Sequence, residues 1–213
     1  MAVTLLELLR PGRYGVVTME LQRGVVGDLS SFPELASAAE RAGLLGNAAR
    51  LLRAARSAGA PVVHCTAGFQ ADRRGSPANA PLITAMLRRP DHLLEGTQAV
   101  DLVPDLAAEP SDLISHRRHG VSPFGGTGLD PMLRSLGINV VVATGVSLNL
   151  GIVGLCVEAV NLGYQVVVAE DAVAGVPPTY GRSVLDHSIA LVATIASVDA
   201  ICTAMAAVPG GSA

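Results

Sequence analysis

Short apolar runs rich in β-branched residues alternate with longer stretches of alanine, leucine and arginine along most of this chain. The candidate strands are residues 14–20, 60–66, 112–116, 138–146, 164–171 and 189–198, and helical patterns lie at 35–57, 128–137, 148–163 and 180–191. The apolar runs are continuous rather than alternating, which is typical of strands covered on both faces. This order predicts an α/β fold with a three-layer, doubly wound, six-stranded and mostly parallel sheet.

A doubly wound sheet carries its functional residues beyond the carboxyl ends of its strands. Those ends are predicted at residues 20–23, 64–69, 116–118, 145–149 and 171. The polar, irregular stretch 70–96 is too long for a plain connection, so we interpret it as a lid or binding loop. Because no repeat or second core is visible, we expect one domain over residues 1–213 with a core of about 14–200.

Composition excludes several classes of function. All 15 basic residues are arginine, which rules out Schiff-base chemistry, a P-loop lysine and any lysine acid or base. The net charge of −3 argues against nucleic acid. No apolar run approaches the roughly 20 residues of a spanning helix, and the amino terminus lacks a signal-peptide pattern. Three scattered cysteines argue against disulfides and structural zinc, so we expect a cytoplasmic protein.

Three segments, taken in order, carry a family resemblance. They are VVTMELQRG at 16–24, a central segment at 95–138, and VVVATGVSLNLGIVGLCVEAVNLGYQVVVAEDAVAG at 140–175. Together they resemble the isochorismatase-like hydrolases, also called the cysteine hydrolase superfamily, over about residues 14–200. With the doubly wound pattern, the resemblance implies the Rossmann-like strand order 3-2-1-4-5-6 and no cofactor.

The resemblance also implies a catalytic triad, which in this family is an Asp, a Lys and a Cys. Motif matching places these positions at Glu20, Arg118 and Gly151, so none carries the usual residue. Without a thiol at residue 151, acyl transfer through a cysteine is excluded. Family members with glycine at that position hydrolyse a vinyl ether by protonation and water addition, which needs no thiolate.

Two hypotheses follow for the function. The first is a small-molecule hydrolase without a covalent nucleophile, in which Glu20 transfers protons and Arg118 acts as an electrostatic clamp. The second is a catalytically silent family member that binds a ligand or serves as a scaffold subunit. The first requires an open pocket with an unpaired Glu20 carboxyl group, and the second predicts a collapsed site or a saturated Glu20–Arg118 pair.

Substrate contacts are expected around this triad. The candidates are Gln22, His64, Phe69, Phe124, Val146, Ser147 and Asn149. For Asn149, helix capping is an equally good interpretation.

The resemblance implies a cis peptide bond between Val146 and Ser147. The substrate is expected to be a small anionic or carbonyl compound, and five arginines are predicted near the strand ends: Arg23, Arg73, Arg74, Arg117 and Arg118.

The remaining expectations concern thiols, metals and assembly. We interpret Cys156 as an inert core thiol and Cys65 as a packing residue. No Asp-x-His sequence is present, so no metal site is expected. The family resemblance and the high apolar content favour a homodimer or homotetramer.

Overall fold

The structure is a computed structural model that describes residues 3–207. Six strands form one parallel sheet in the order β3-β2-β1-β4-β5-β6. The strands are β1 Tyr14–Met19, β2 Val62–Ala67, β3 Leu113–Arg117, β4 Val140–Val146, β5 Gln165–Ala174 and β6 Thr194–Ala196. The expected fold class and strand order are therefore confirmed, and every neighbouring pair of strands is parallel.

Helices cover both faces of the sheet. The α-helices are α1 Leu5–Leu8, α2 Pro33–Arg41, α3 Leu44–Ser57, α4 Pro81–Leu87, α5 Leu129–Ser135, α6 Val153–Asn161, α7 Pro178–His187 and α8 Val198–Ala207. Two apolar cores result, one on each side of the sheet. Central strands β1, β2 and β4 are buried along their whole length, as their continuous apolar sequences predict.

Three predicted segments are organised differently in the structure. The helical pattern at 35–57 forms two helices, because Gly43 adopts a left-handed conformation at φ 63° and turns the chain between α2 and α3. The run at 189–198 is a 3₁₀ turn followed by the short strand β6. The irregular stretch 70–96 contains the seven-residue helix α4. Within residues 3–207, no helix is both long enough and apolar enough to cross a membrane.

Candidate functional site

A cavity of about 510 Å³ opens at the carboxyl ends of strands β1, β3 and β4. Its inner wall contains Glu20, which follows β1, Arg117, the last residue of β3, and Ser147, Asn149 and Gly151, which follow β4. Neighbouring strand ends of a parallel sheet meet at one edge, which explains how residues more than a hundred positions apart in sequence converge here. The sequence-predicted residues Glu20 and Gly151 therefore line one cavity.

The outer wall of the cavity is apolar. It is built from the loop that leads into α2, from one side of α4 and from the loop after β3. Its main apolar side chains are Phe32, Leu35, Leu82, Ile83, Met86 and Val121. Helix α4 lies within the 70–96 segment, so part of that segment forms a wall of the cavity.

Glu20 and Arg117 form an ion pair in the cavity wall. Arg117 Nη2 donates a hydrogen bond to Glu20 Oε1, and the two side chains are 5% and 15% exposed. The Nε and Nη1 groups of Arg117 are buried and have no hydrogen-bond partner among residues 3–207. Buried, unpaired donors are costly in a folded protein, so a shift of the guanidinium that brings them an acceptor would be favourable.

Arg118, predicted as the cationic member of the site, is not in the cavity wall. Its Nε and Nη2 groups donate to Glu95 Oε1 and Oε2 at 2.6 Å and 2.9 Å, and its side chain is 48% exposed. Successive residues of a strand point to opposite faces of the sheet. Since Arg117 points to the Glu20 side at the end of β3, Arg118 is directed away, and the structure has Arg117 rather than the predicted Arg118 in the cavity lining.

Gly151 lies in the π-helical segment Leu148–Ile152, between β4 and α6. A Cβ atom at this position would lie 3.0 Å from Met19 Cε and 3.0 Å from the Val146 carbonyl oxygen. The cavity wall therefore fits glycine closely at the position that the sequence resemblance assigns to the cysteine. The Val146–Ser147 peptide bond is cis in the structure.

Of the seven expected substrate contacts, only Ser147 and Asn149 line the cavity. Gln22 is fully buried: its amide donates to the carbonyls of Ala67 and Val100 and accepts from the Ala67 N–H. It thus joins the β1 exit to β2 and has no free polar atom for a ligand.

His64 is also an interior residue and not a substrate contact. Its ring lies 2.8 Å from Thr18 Oγ1 and 3.2 Å from Asp112 Oδ2. Burial lowers the pKa of His64, against the opposing effect of Asp112. The imidazole is therefore a hydrogen-bonded polar group inside the sheet. The place of His64 near the end of β2 did not show that its side chain points into the interior.

The three remaining candidates are core side chains. Phe69 packs against His92 with ring centroids 5.7 Å apart, and Phe124 packs against Tyr164 at 5.9 Å. Val146 is fully buried in the core on the α3 side. Each was predicted as a contact because of its place in the chain, and none of the three lines the cavity.

The five arginines expected to attract an anion do not converge. Arg23 pairs with Asp28 at 2.7 Å, and Arg73 donates to the carbonyls of residues 89, 90 and 92. Arg74 is exposed beside Asp72, and Arg118 pairs with Glu95. Arg117 is the one member of this group in the cavity lining.

The sequence analysis missed Arg89, which lies at the rim of the cavity. Its guanidinium donates to the Ser31 carbonyl and lies over the Phe32 ring at 4.9 Å from the centroid. Nearby, His92 Nδ1 is 2.6 Å from Ser31 Oγ. These contacts join the end of α4 to the loop before α2, and no motif in the sequence indicated this pairing.

Two of the three native thiols, those of Cys65 and Cys156, are poor nucleophiles. Burial raises the pKa of Cys65 and of Cys156 to about 12, and neither residue lines the cavity. Among residues 3–207, no group of three or more histidine, cysteine, aspartate and glutamate side chains is arranged to hold a metal ion.

Comparisons with known proteins agree with this architecture. The isochorismatase domain model matches residues 15–200. The isochorismatase family protein YecD of Escherichia coli O157:H7 is 28% identical over 194 residues, covering 89% of this chain and 95% of YecD. The ureidoacrylate amidohydrolase RutB of Stutzerimonas stutzeri is 31% identical over 172 residues, covering 74% of this chain and 68% of RutB.

Solved structures show the same fold. A cysteine hydrolase from Pseudomonas syringae pv. phaseolicola superposes with a TM-score of 0.80 at 19% identity, covering 94% of this chain and 95% of that chain. The N-carbamoylsarcosine amidase of Thermoplasma acidophilum gives a TM-score of 0.69 at 22% identity, covering 88% and 97%. With the domain match over residues 15–200, this chain belongs to the isochorismatase family.

Proposed function

We propose that this protein is a small-molecule hydrolase that uses water directly, with no covalent enzyme intermediate. The observation that carries the proposal is the open cavity at the strand ends, in which the Glu20 carboxylate lies with glycine at the nucleophile position. A carboxylate held by a guanidinium is a positioned proton acceptor. The unpaired Arg117 donors are suited to a carbonyl oxygen of the substrate.

The proposed step is general-base hydrolysis of a carbonyl compound. A water molecule forms the new bond to the carbonyl carbon and gives one proton to Glu20. The carbonyl oxygen gains negative charge, which the neighbouring Arg117 guanidinium stabilises. Glu20 then returns the proton to the leaving group as the carbon–heteroatom bond breaks, so the carboxylate is regenerated.

A substrate screen with matched variants tests this function. Amides, esters and vinyl ethers are incubated with the protein, and the products are identified by mass spectrometry. We expect Glu20→Gln and Arg117→Gln to lower kcat/KM by about a hundredfold or more. Arg118→Gln is the control, since Arg118 lies outside the cavity, and it should stay within about twofold of the wild type.

Intact-mass spectra recorded during turnover address the covalent intermediate. The protein should keep its unmodified mass throughout, because water attacks the substrate itself. Full activity in Glu20→Gln, or an acylated protein during turnover, would contradict the proposal.

A second candidate function is ligand binding without turnover. It is favoured by one observation: Glu20 is not a free carboxyl group but is paired with Arg117. In that case compounds from the same screen should raise the melting temperature while no product forms, and Arg117→Gln should abolish the shift.

A further inference from the structure

We propose that the cavity selects uncharged carbonyl compounds with an apolar body, and discriminates against small carboxylates. This inference specifies the substrate class for the hydrolase proposed above and therefore rests on that function. Of the two substrate types that the sequence leaves open, an anionic or a carbonyl compound, it favours the carbonyl compound.

The first argument is the balance of charge around the cavity. Four charged residues line it: Glu20, Glu34, Arg89 and Arg117. Two positive and two negative side chains leave no net charge in the lining. Arg117, the innermost cation, is already neutralised by its contact with Glu20. A carboxylate bound at Arg117 would lie beside the Glu20 carboxylate, and two like charges at close range are unfavourable.

The second argument is the hydrogen-bonding capacity that remains. Arg117 Nε and Nη1 are buried donors with no partner among residues 3–207. Both donors are enclosed by protein, so a ligand reaches them only if the Arg117 side chain shifts. Because a buried unpaired donor costs free energy, such a shift toward a carbonyl oxygen is favourable, and a neutral carbonyl brings no negative charge close to Glu20.

The third argument is the size and chemistry of the outer wall. Ile83 and Met86 of α4 are 1% and 8% exposed, and with Phe32, Leu35 and Val121 they form an apolar surface facing the polar end. A cavity of about 510 Å³ is larger than a two- or three-carbon compound needs. A branched aliphatic or aromatic group would displace water from this wall and gain hydrophobic free energy.

Four compounds separate the effect of head-group charge from that of body size. Phenylacetone and phenylacetate have the same aromatic body with an uncharged or a charged head, and acetone and acetate lack the body. Neither ketone has a hydrolysable bond, so binding is measured without turnover. Dissociation constants are obtained by ligand-observed NMR titration of the full chain.

We expect phenylacetone to bind the wild type at least tenfold more tightly than either phenylacetate or acetone. Glu20→Gln removes one negative charge from the lining and should lower the preference for phenylacetone over phenylacetate at least tenfold. Glu95→Gln is the matched control: it removes the same charge from the chain but outside the cavity, and it should leave the preference within twofold. If Glu20→Gln does not fold, Glu34→Gln replaces it, with an expected shift of at least threefold.

Equal or tighter binding of phenylacetate by the wild type would overturn the inference, as would an equal shift in Glu95→Gln. This result is independent of catalysis. A chain that binds phenylacetone selectively but hydrolyses nothing contradicts only the proposed function. An active hydrolase that prefers carboxylates contradicts only the substrate class.

Discussion

Two consecutive arginines at the end of β3 each pair with a glutamate, yet the two pairs differ in almost every physical respect. The Glu20–Arg117 pair is largely buried and leaves two guanidinium donors without a partner among residues 3–207. The Glu95–Arg118 pair is more exposed, and the glutamate accepts from the guanidinium through both oxygens. One pair lines the cavity and the other does not.

The difference follows from strand geometry rather than from residue type. Adjacent strand residues face opposite sides of a sheet, so two identical side chains enter different environments. A buried ion pair loses much of its hydration and depends on its partner, whereas an exposed pair is well solvated with or without one. We therefore expect the buried Glu20–Arg117 pair, whose guanidinium has unpaired donors, to take part in chemistry. We expect the exposed Glu95–Arg118 pair to contribute little to function.

The largest expected effect is on stability. Arg117→Leu leaves Glu20 without its counter-charge in the cavity wall, and we expect the free energy of unfolding to fall by about 2 kcal/mol, below the range for fully buried pairs. Glu20 keeps 15% of its side chain exposed, which limits the cost. Arg118→Leu should cause a much smaller change. Urea denaturation of both variants measures the difference.

The matched control for this comparison is the removal of both charges. The double variant Glu20→Gln with Arg117→Leu should be more stable than Arg117→Leu alone, since no unpaired carboxylate remains. If Arg118→Leu proves as costly as Arg117→Leu, the two pairs are equivalent and the contrast between them fails.

A thiol placed in the cavity gives the next largest effect. Gly151→Cys should react with iodoacetamide faster than Cys65 and Cys156, whose thiols are buried with pKa values near 12. The Glu20–Arg117 pair is close to neutral, and loss of Arg117 would leave an uncompensated Glu20 carboxylate in the same lining, which disfavours the reactive thiolate. In this background Arg117→Gln should slow labelling by about tenfold, and Arg118→Gln by no more than about twofold, as read by peptide mass spectrometry.

The tight fit at residue 151 requires a structural control. A Cβ atom there approaches Met19 Cε and the Val146 carbonyl oxygen at 3.0 Å, so Gly151→Ala is compared for its melting temperature. Labelling at residue 151 no faster than at Cys156, in a folded Gly151→Cys protein, would show that the cavity is closed to reagents. The second hypothesis, a catalytically silent family member that serves as a scaffold subunit, would then be preferred.

Much of the fold was predictable because strands that are buried on both faces have continuous apolar sequences. The continuous apolar runs of β1, β2 and β4 identified the central strands to within two residues at each end. Helix ends and the short strand β6 were less accurate, since a single left-handed residue such as Gly43 divides a helical pattern that otherwise continues.

The site was predicted less completely, and the errors share a physical cause. Motif matching located Glu20, Ser147, Asn149 and Gly151 in the cavity lining. It assigned Arg118 by counting back from Ser122, and counting along an irregular loop does not reveal which of two neighbours faces inward. In the structure, buried Ser115 and Arg117 alternate with exposed Ile114 and His116, but the sequence does not show this alternation, because the apolar Ile114 is on the exposed side.

Other parts of the cavity had no local signal. The apolar wall comes from the loop before α2 and from α4, which meet only in the folded chain through the Arg89 contact with Ser31. Gln22, His64 and Phe69 were expected as substrate contacts because they lie near the ends of strands. Proximity to a strand end fixes where a residue lies, but it does not fix the direction of its side chain.

The smallest expected effect concerns the exposed pair and its dependence on pH. The hydrogen bond from Arg118 holds the pKa of Glu95 below its ordinary value of 4.5, with His116 contributing in the same direction. A lowered carboxylate pKa stabilises the folded protein above the ordinary pKa, and that contribution is lost as the pH falls through the lowered value. In Arg118→Gln the pKa of Glu95 should rise, and 1 M salt should have a similar effect on the wild type by screening the pair.

Arg117→Gln should leave the pKa of Glu95 unchanged, because the Arg117 side chain faces the cavity instead. Carboxyl-carbon NMR titration of the three proteins measures these values directly. An unchanged pKa of Glu95 in Arg118→Gln would mean that the exposed pair does not form in solution, and the comparison between the two arginines would then rest on the cavity pair alone.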